Sequence, residues 1–119
     1  MFLMVIQLYK TEYKEDVLLA LTSMGIESGS LIDGINLDQE LTRDFPLFTG
    51  LVRSDSEKAR FSLQITAVVE NKGSAQMLMS LLKEADIDIR KEPVLRIMLL
   101  PMAFYADEET LWDPMSSEK

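Results

Sequence analysis

The sequence predicts an α+β fold of the ferredoxin-like kind, a split-βαβ sandwich: an antiparallel sheet in the order β-α-β-β-α-β, with two helices on one face. Three observations predict it. One unit is stated twice, as an apolar strand, an amphipathic helix and a second strand. The first copy runs from Phe2 through a helix over Glu15–Met24 to a strand around Ser28–Asn36, the second from Arg60 through Ala75–Ala85 to a strand around Val94–Met102. A 22-residue stretch without sustained periodicity, Leu37–Lys58, separates them. At 119 residues the chain has a one-domain length, enough to bury roughly 65% of its unfolded surface.

Each element has a local cause. Phe2–Tyr9 is apolar at both alternating positions, as a strand covered on both sides reads. Val17, Leu21 and Met24 recur at helical spacing with Leu18 on the flank, and Glu15 and Asp16 occupy the first turn, where the helix dipole favours acids. Gly25 supplies a left-handed stop, and a short strand with Leu31, Ile32 and Ile35 follows. In Arg60–Glu70, Phe61, Leu63, Ile65, Ala67 and Val69 alternate with Ser62, Gln64, Thr66 and Val68, a half-buried strand. Ser74 reads as the N-cap of the second helix, with Leu78, Leu81, Leu82 and Ala85 as its buried stripe. Met77, Met79, Met98 and Met102 read as core filler. Val94–Leu100 is apolar on both faces except at Arg96. Residues 1–104 thus form the domain, and 105–119 an acidic tail carrying Asp107, Glu108, Glu109 and the single tryptophan, Trp112.

Two strands apolar on both faces carry a consequence. If both helices cover one face, Leu3, Val5, Met98 and Leu100 leave an apolar patch on the other, and self-association is the expected remedy.

Composition excludes several functions. A net charge of -8 without a basic stripe argues against nucleic acid as a partner. There is no histidine and no cysteine, which removes the commonest general bases, nucleophiles and zinc ligands, and no Gly-x-Ser-x-Gly or P-loop pattern occurs. No catalytic residue is assigned, and a non-enzyme is expected. Met1–Leu8 has no basic residues ahead of its apolar run, is too short to span a bilayer and runs straight into Lys10 and Glu12, so neither a signal peptide nor membrane insertion is expected, and the cytoplasm is the expected location.

Three clusters stand out as sites. Phe45-Pro-Leu-Phe-Thr-Gly-Leu51 places Phe45, Phe48 and Leu51 in the irregular loop, either as anchors for a partner protein or packed back on the sheet or a neighbouring subunit. Arg90 and Lys91, with Arg96, suit a carboxylate or phosphate. Asp33, Asp38, Glu40 and Asp44 are oxygen donors whose spacing matches no calcium loop, so no metal site is assigned.

Lys10, Glu15-Asp16, Val17, Ala20-Leu21 and Gly25-Ile26-Glu27 resemble the first strand–helix segment of the nitrogen-regulatory PII proteins. Phe61–Val69 and Ile97-Met-Leu-Leu-Pro101 are similar to that family's later strands. The resemblance implies a cytoplasmic homotrimer that transduces signals, binds a small ligand between subunits and docks on a transporter or regulatory protein through its T-loop, here residues 37–58. It places Gly34 at the base of that loop and Arg90 and Lys91 after the second helix, as ligand-binding positions. The chain departs from the family at its glycine motifs: Asp86-Ile-Asp-Ile-Arg-Lys-Glu92 contains no glycine, and a phosphate cradle needs the close backbone approach that glycine allows. Residues 37–58 contain no tyrosine, so uridylylation is not expected. No cofactor follows.

Overall fold

A computed structural model describes residues 1–37 and 61–115. Its elements are β1 (Phe2–Leu8), a 3₁₀ turn (Thr11–Tyr13), α1 (Lys14–Ser23), β2 (Gly29–Ile35), β3 (Phe61–Val69), α2 (Gly73–Glu84), β4 (Leu95–Pro101), β5 (Tyr105–Ala106) and β6 (Leu111–Trp112). Four strands form one sheet in the order β2-β3-β1-β4, every neighbouring pair antiparallel. This small α+β arrangement is consistent with the ferredoxin-like class. The β5–β6 hairpin lies outside the four-stranded sheet and adds to the expected plan.

Alternation sorts the strands into two faces. Met4, Ile6 and Leu8 of β1, Leu63, Ile65 and Val69 of β3 and Leu95 of β4 join Val17, Ala20 and Leu21 of α1 and Leu78 and Leu82 of α2 in one buried cluster. Both helices therefore lie on this face. Ile87 and Val94 close the cluster beneath the turn between α2 and β4.

Both helices end in the same way. After α1, Gly25 N–H donates to Thr22 O at 2.9 Å and Ile26 N–H to Leu21 O at 3.0 Å, with Gly25 at φ 82°. After α2, Asp86 N–H donates to Lys83 O at 3.0 Å and Ile87 N–H to Leu82 O at 2.9 Å, with Asp86 at φ 64°. Each is a Schellman closure whose following isoleucine packs inward.

Several expectations are corrected. Lys72, not Ser74, occupies the N-cap of α2, and no side chain caps it; Ser74 is already helical because the helix starts at Gly73. Ala85 is exposed, and Met77 is 55% exposed rather than core filler, because the buried stripe of α2 narrows to Leu78 and Leu82; Met98 is not core filler either, since it points to the open face of the sheet. Phe61 follows its alternation to the helix side but sits at the sheet end, beyond helix cover, and is exposed. Residues 105–112 form a hairpin within the segment read as an acidic tail.

Candidate functional site

Two regions carry the chemistry singled out in the sequence: one end of the sheet, and the face that the helices leave open.

At the sheet end, Gly34 of β2 is paired with Ser62 of β3, and Tyr9 and Lys10, just beyond β1, both donate backbone N–H groups to Val94 O, at 2.8 and 3.1 Å. A Cβ at Gly34 would stand 3.7 Å from Ser62 Oγ, an ordinary contact, so the strand itself does not demand glycine here. Arg90 and Lys91 belong to the compact turn before β4. Arg90 N–H donates to Asp88 Oδ1 at 3.0 Å, and Lys91 N–H donates to Asp88 O at 3.0 Å. Together with Lys83, Ser80 and Gln76 of α2 they line a shallow groove of about 580 Å³ that also contains Asp88. Three cations against one carboxylate suit a carboxylate or phosphate ligand. The same turn carries Asp86 and Glu92, which line an adjoining recess with Asp88, Lys83 and Lys91. Lys10 Nζ reaches Glu92 Oε2 at 3.0 Å and ties the end of β1 to this turn.

The structure does not unite the sequence-assigned residues within one chain. Gly34 stands on the β2 edge, whereas Arg90 and Lys91 precede β4 at the other edge. Three interstrand spacings, about 14 Å, separate the two edges. Arg96 is separate again: it lies on the open face, donates from Nε to Gln7 Oε1 at 2.8 Å and stacks 5.9 Å from the centre of the Tyr9 ring. Asp33 is exposed on β2, and Asp38, Glu40 and Asp44 lie outside the described residues. Among the described residues no three carboxylates gather as a metal site would require. Phe45, Phe48 and Leu51 also lie outside the described residues.

The open face divides by register. Leu3 stands between Val68 and Leu100, and Val5 between Thr66 and Met98, which puts an apolar patch at the start of β1. One row further, Gln7 lies between Gln64 and Arg96, and beside Val5 the Ser30 and Thr66 hydroxyls hydrogen-bond at 2.8 Å. Met98 is 38% and Leu100 47% exposed, so the patch expected from the doubly apolar strands is present.

Above one corner of this face sits the hairpin. Met102 N–H donates to Met1 O at 3.1 Å, and Tyr105 lines a gap of about 230 Å³ with Leu3, Ser28, Gly29, Thr66 and Val68. The chain thus crosses the end of the sheet from the β4 edge toward β2. Asp107 fixes the turn: its N–H donates to Thr110 O at 2.8 Å, its Oδ1 accepts from Glu109 N–H and Thr110 N–H at 2.9 and 2.7 Å, and its Oδ2 accepts from the Tyr105 hydroxyl. The Tyr105 hydroxyl, followed by these backbone donors, holds the Asp107 carboxyl below the usual carboxylate range. The same hydrogen bond holds the Tyr105 phenol above its usual range.

Sequence reasoning missed Gln76, Ser80 and Lys83, whose spacing on α2 was a readable signal of one polar helix face. It also missed the hairpin, for which Tyr-Ala-Asp-Glu-Glu-Thr-Leu-Trp, with aspartate at the head of the turn, was the available signal.

No protein-family model and no curated protein matches the chain. Among solved structures it is similar to a DUF3240 family protein from Shewanella baltica OS155, with a TM-score of 0.51 and 13% identity over 89% of this chain and 94% of that one. At that identity the likeness concerns the fold.

Proposed function

We propose that the chain is a PII-like regulatory subunit. It self-associates as a homotrimer, holds a small anionic ligand between subunits near Gly34, Arg90 and Lys91, and contacts a transporter or regulatory protein through residues 37–58. It works without catalysis. The observation that carries this reading is the split of its site: Gly34 lies on one edge of the sheet and Arg90 and Lys91 at the other. Residues so divided converge only across a boundary between copies. The apolar open face supplies a reason for such a boundary. The acids Asp86, Asp88 and Glu92 around Arg90 and Lys91 favour the second reading, a ligand-free protein-interaction module with no anion in the groove.

The test pairs mass with ligand response. Light scattering and native mass spectrometry of the full chain are expected to give a trimer. Titration with adenine nucleotides, 2-oxoacids and inorganic phosphate is expected to raise the Tm by about 2 °C or more for one of these classes. The rise should be lost in Arg90→Ala/Lys91→Ala. A trimer that none of the three classes stabilises would leave the interaction module as the function, and a monomer at high concentration would remove the shared site altogether.

A further inference from the structure

The C-terminal hairpin is built for more than tying down a chain end. Its strands are two residues each, and a lone two-stranded hairpin is marginal in water. Here the carboxylate of Asp107 gathers three donors and fixes the turn. The hairpin has two sides. Tyr105 pairs with Trp112 across the strands and lines the gap over the sheet, so Ala106 and its partner Leu111 point the other way. Leu111 is 71% exposed, and Phe104 at the root of the hairpin is 55% exposed. A preorganised turn therefore presents two large apolar side chains to the outside.

The apolar patch on the open face has the opposite deficiency. Among the described residues Tyr105 reaches only the Leu3–Val68 corner, while Met98 and Leu100 are exposed and Val5 beside them is half-buried. Arm and patch are both apolar and open to solvent among the described residues: Phe104 and Leu111 on one, Met98 and Leu100 on the other. Charge points to the occupant. Beside the patch stands the cation Arg96, and beside the outward hairpin residues stands the acidic run Asp107-Glu108-Glu109. The two surfaces are complementary in polarity and in charge, and every copy carries both.

We propose that residues 104–112 are an assembly arm: Phe104 and Leu111 seat on the patch formed by Val5, Met98 and Leu100 of a second copy, with the acidic turn toward that copy's Arg96. This contact is heterologous, arm to patch, and it closes a ring when the rotation between copies allows. It deepens the self-association half of the reading above and is independent of any ligand.

The chain contains no cysteine, so crosslinking can be directed to single positions. Full-length Leu111→Cys and Met98→Cys variants, differently tagged, are mixed and oxidised. The arm predicts a heterodimeric disulfide at yields at least tenfold above a Leu19→Cys and Met98→Cys control, since Leu19 is exposed on α1, on the helix side. In parallel, Phe104→Ser/Leu111→Asp is expected to convert the assembly to monomers with an unchanged far-UV spectrum. An unaltered oligomer in this double variant, with crosslinking no higher than the control, overturns the arm and leaves assembly through another surface. A wild-type monomer at 100 μM, on the order of a concentration at which weak complexes form, overturns both.

Discussion

Asp107 does at residue scale what an extended sheet does for longer strands: it supplies enough hydrogen bonds to hold two short segments together. Its ionisation is therefore linked to the hairpin. A carboxyl whose pKa is lowered in the folded state stabilises that state above its unfolded range, and the contribution is lost as pH falls through the lowered value. A phenol whose pKa is raised contributes below its ordinary value of about 10 and loses that contribution as pH rises through the raised one. Trp112, the single tryptophan and the cross-strand partner of Tyr105, reports on both events. Its emission is expected to stay constant through neutral pH and to shift at the acid and alkaline ends. In Asp107→Asn the acid shift should vanish; an identical acid transition in that variant would assign it to another group. In the sequence Asp107 was legible only as one member of an acidic run, because nothing local says which carboxylate turns back onto its own backbone.

At the scale of elements, the two halves of the chain solve one problem with different residues. Gly25 enters the left-handed region at no steric cost, whereas Asp86 reaches φ 64° with a side chain attached. Aspartate is among the few residues that tolerate this region, and it still costs more than glycine there. Asp86→Gly is accordingly expected to raise stability by about 0.5–1 kcal/mol in urea unfolding, and a loss of stability would mean that the Asp86 side chain has a role beyond the cap. Close approach, rather than backbone angle, explains Gly29: a Cβ there would stand 2.5 Å from Thr66 O. The strands were legible because alternation is a local property of sequence. The start of α2 was misplaced by two residues, since a serine near a helix start resembles a cap whether or not its hydroxyl is used.

The described residues form one layer of helices on one layer of sheet, with a buried cluster between them. Leu82 lies in that cluster with no solvent exposure, and its truncation leaves a void that α2 and β4 cannot both collapse into. Leu82→Ala is expected to cost about 2–5 kcal/mol, measured by urea unfolding, and a cost below about 1 kcal/mol would contradict a core shared by both halves. Covering only one face is what makes the open side consequential. The same sheet that buries Met4 and Ile6 presents Leu3 and Val5 in register with Leu100 and Met98. The polarity of that face is likewise a property of the whole, because Arg96 is held by Gln7 and Tyr9 from a neighbouring strand and its extension.

By itself the sequence determined the element order and the strands apolar on both faces, which follow from periodicity over fewer than about ten residues; the apolar patch followed from these only with both helices placed on one face of the sheet. It also determined which chemistries were missing, through the absence of histidine and cysteine. Only the tertiary structure decided that Arg96 parts from Arg90 and Lys91, that Gly34 stands across the sheet from them, and that the acidic end folds into a hairpin beside the open face. Those outcomes depend on strand order and on which carboxylate closes a turn. Both are set by contacts between residues far apart in the chain, and no local pattern encodes them.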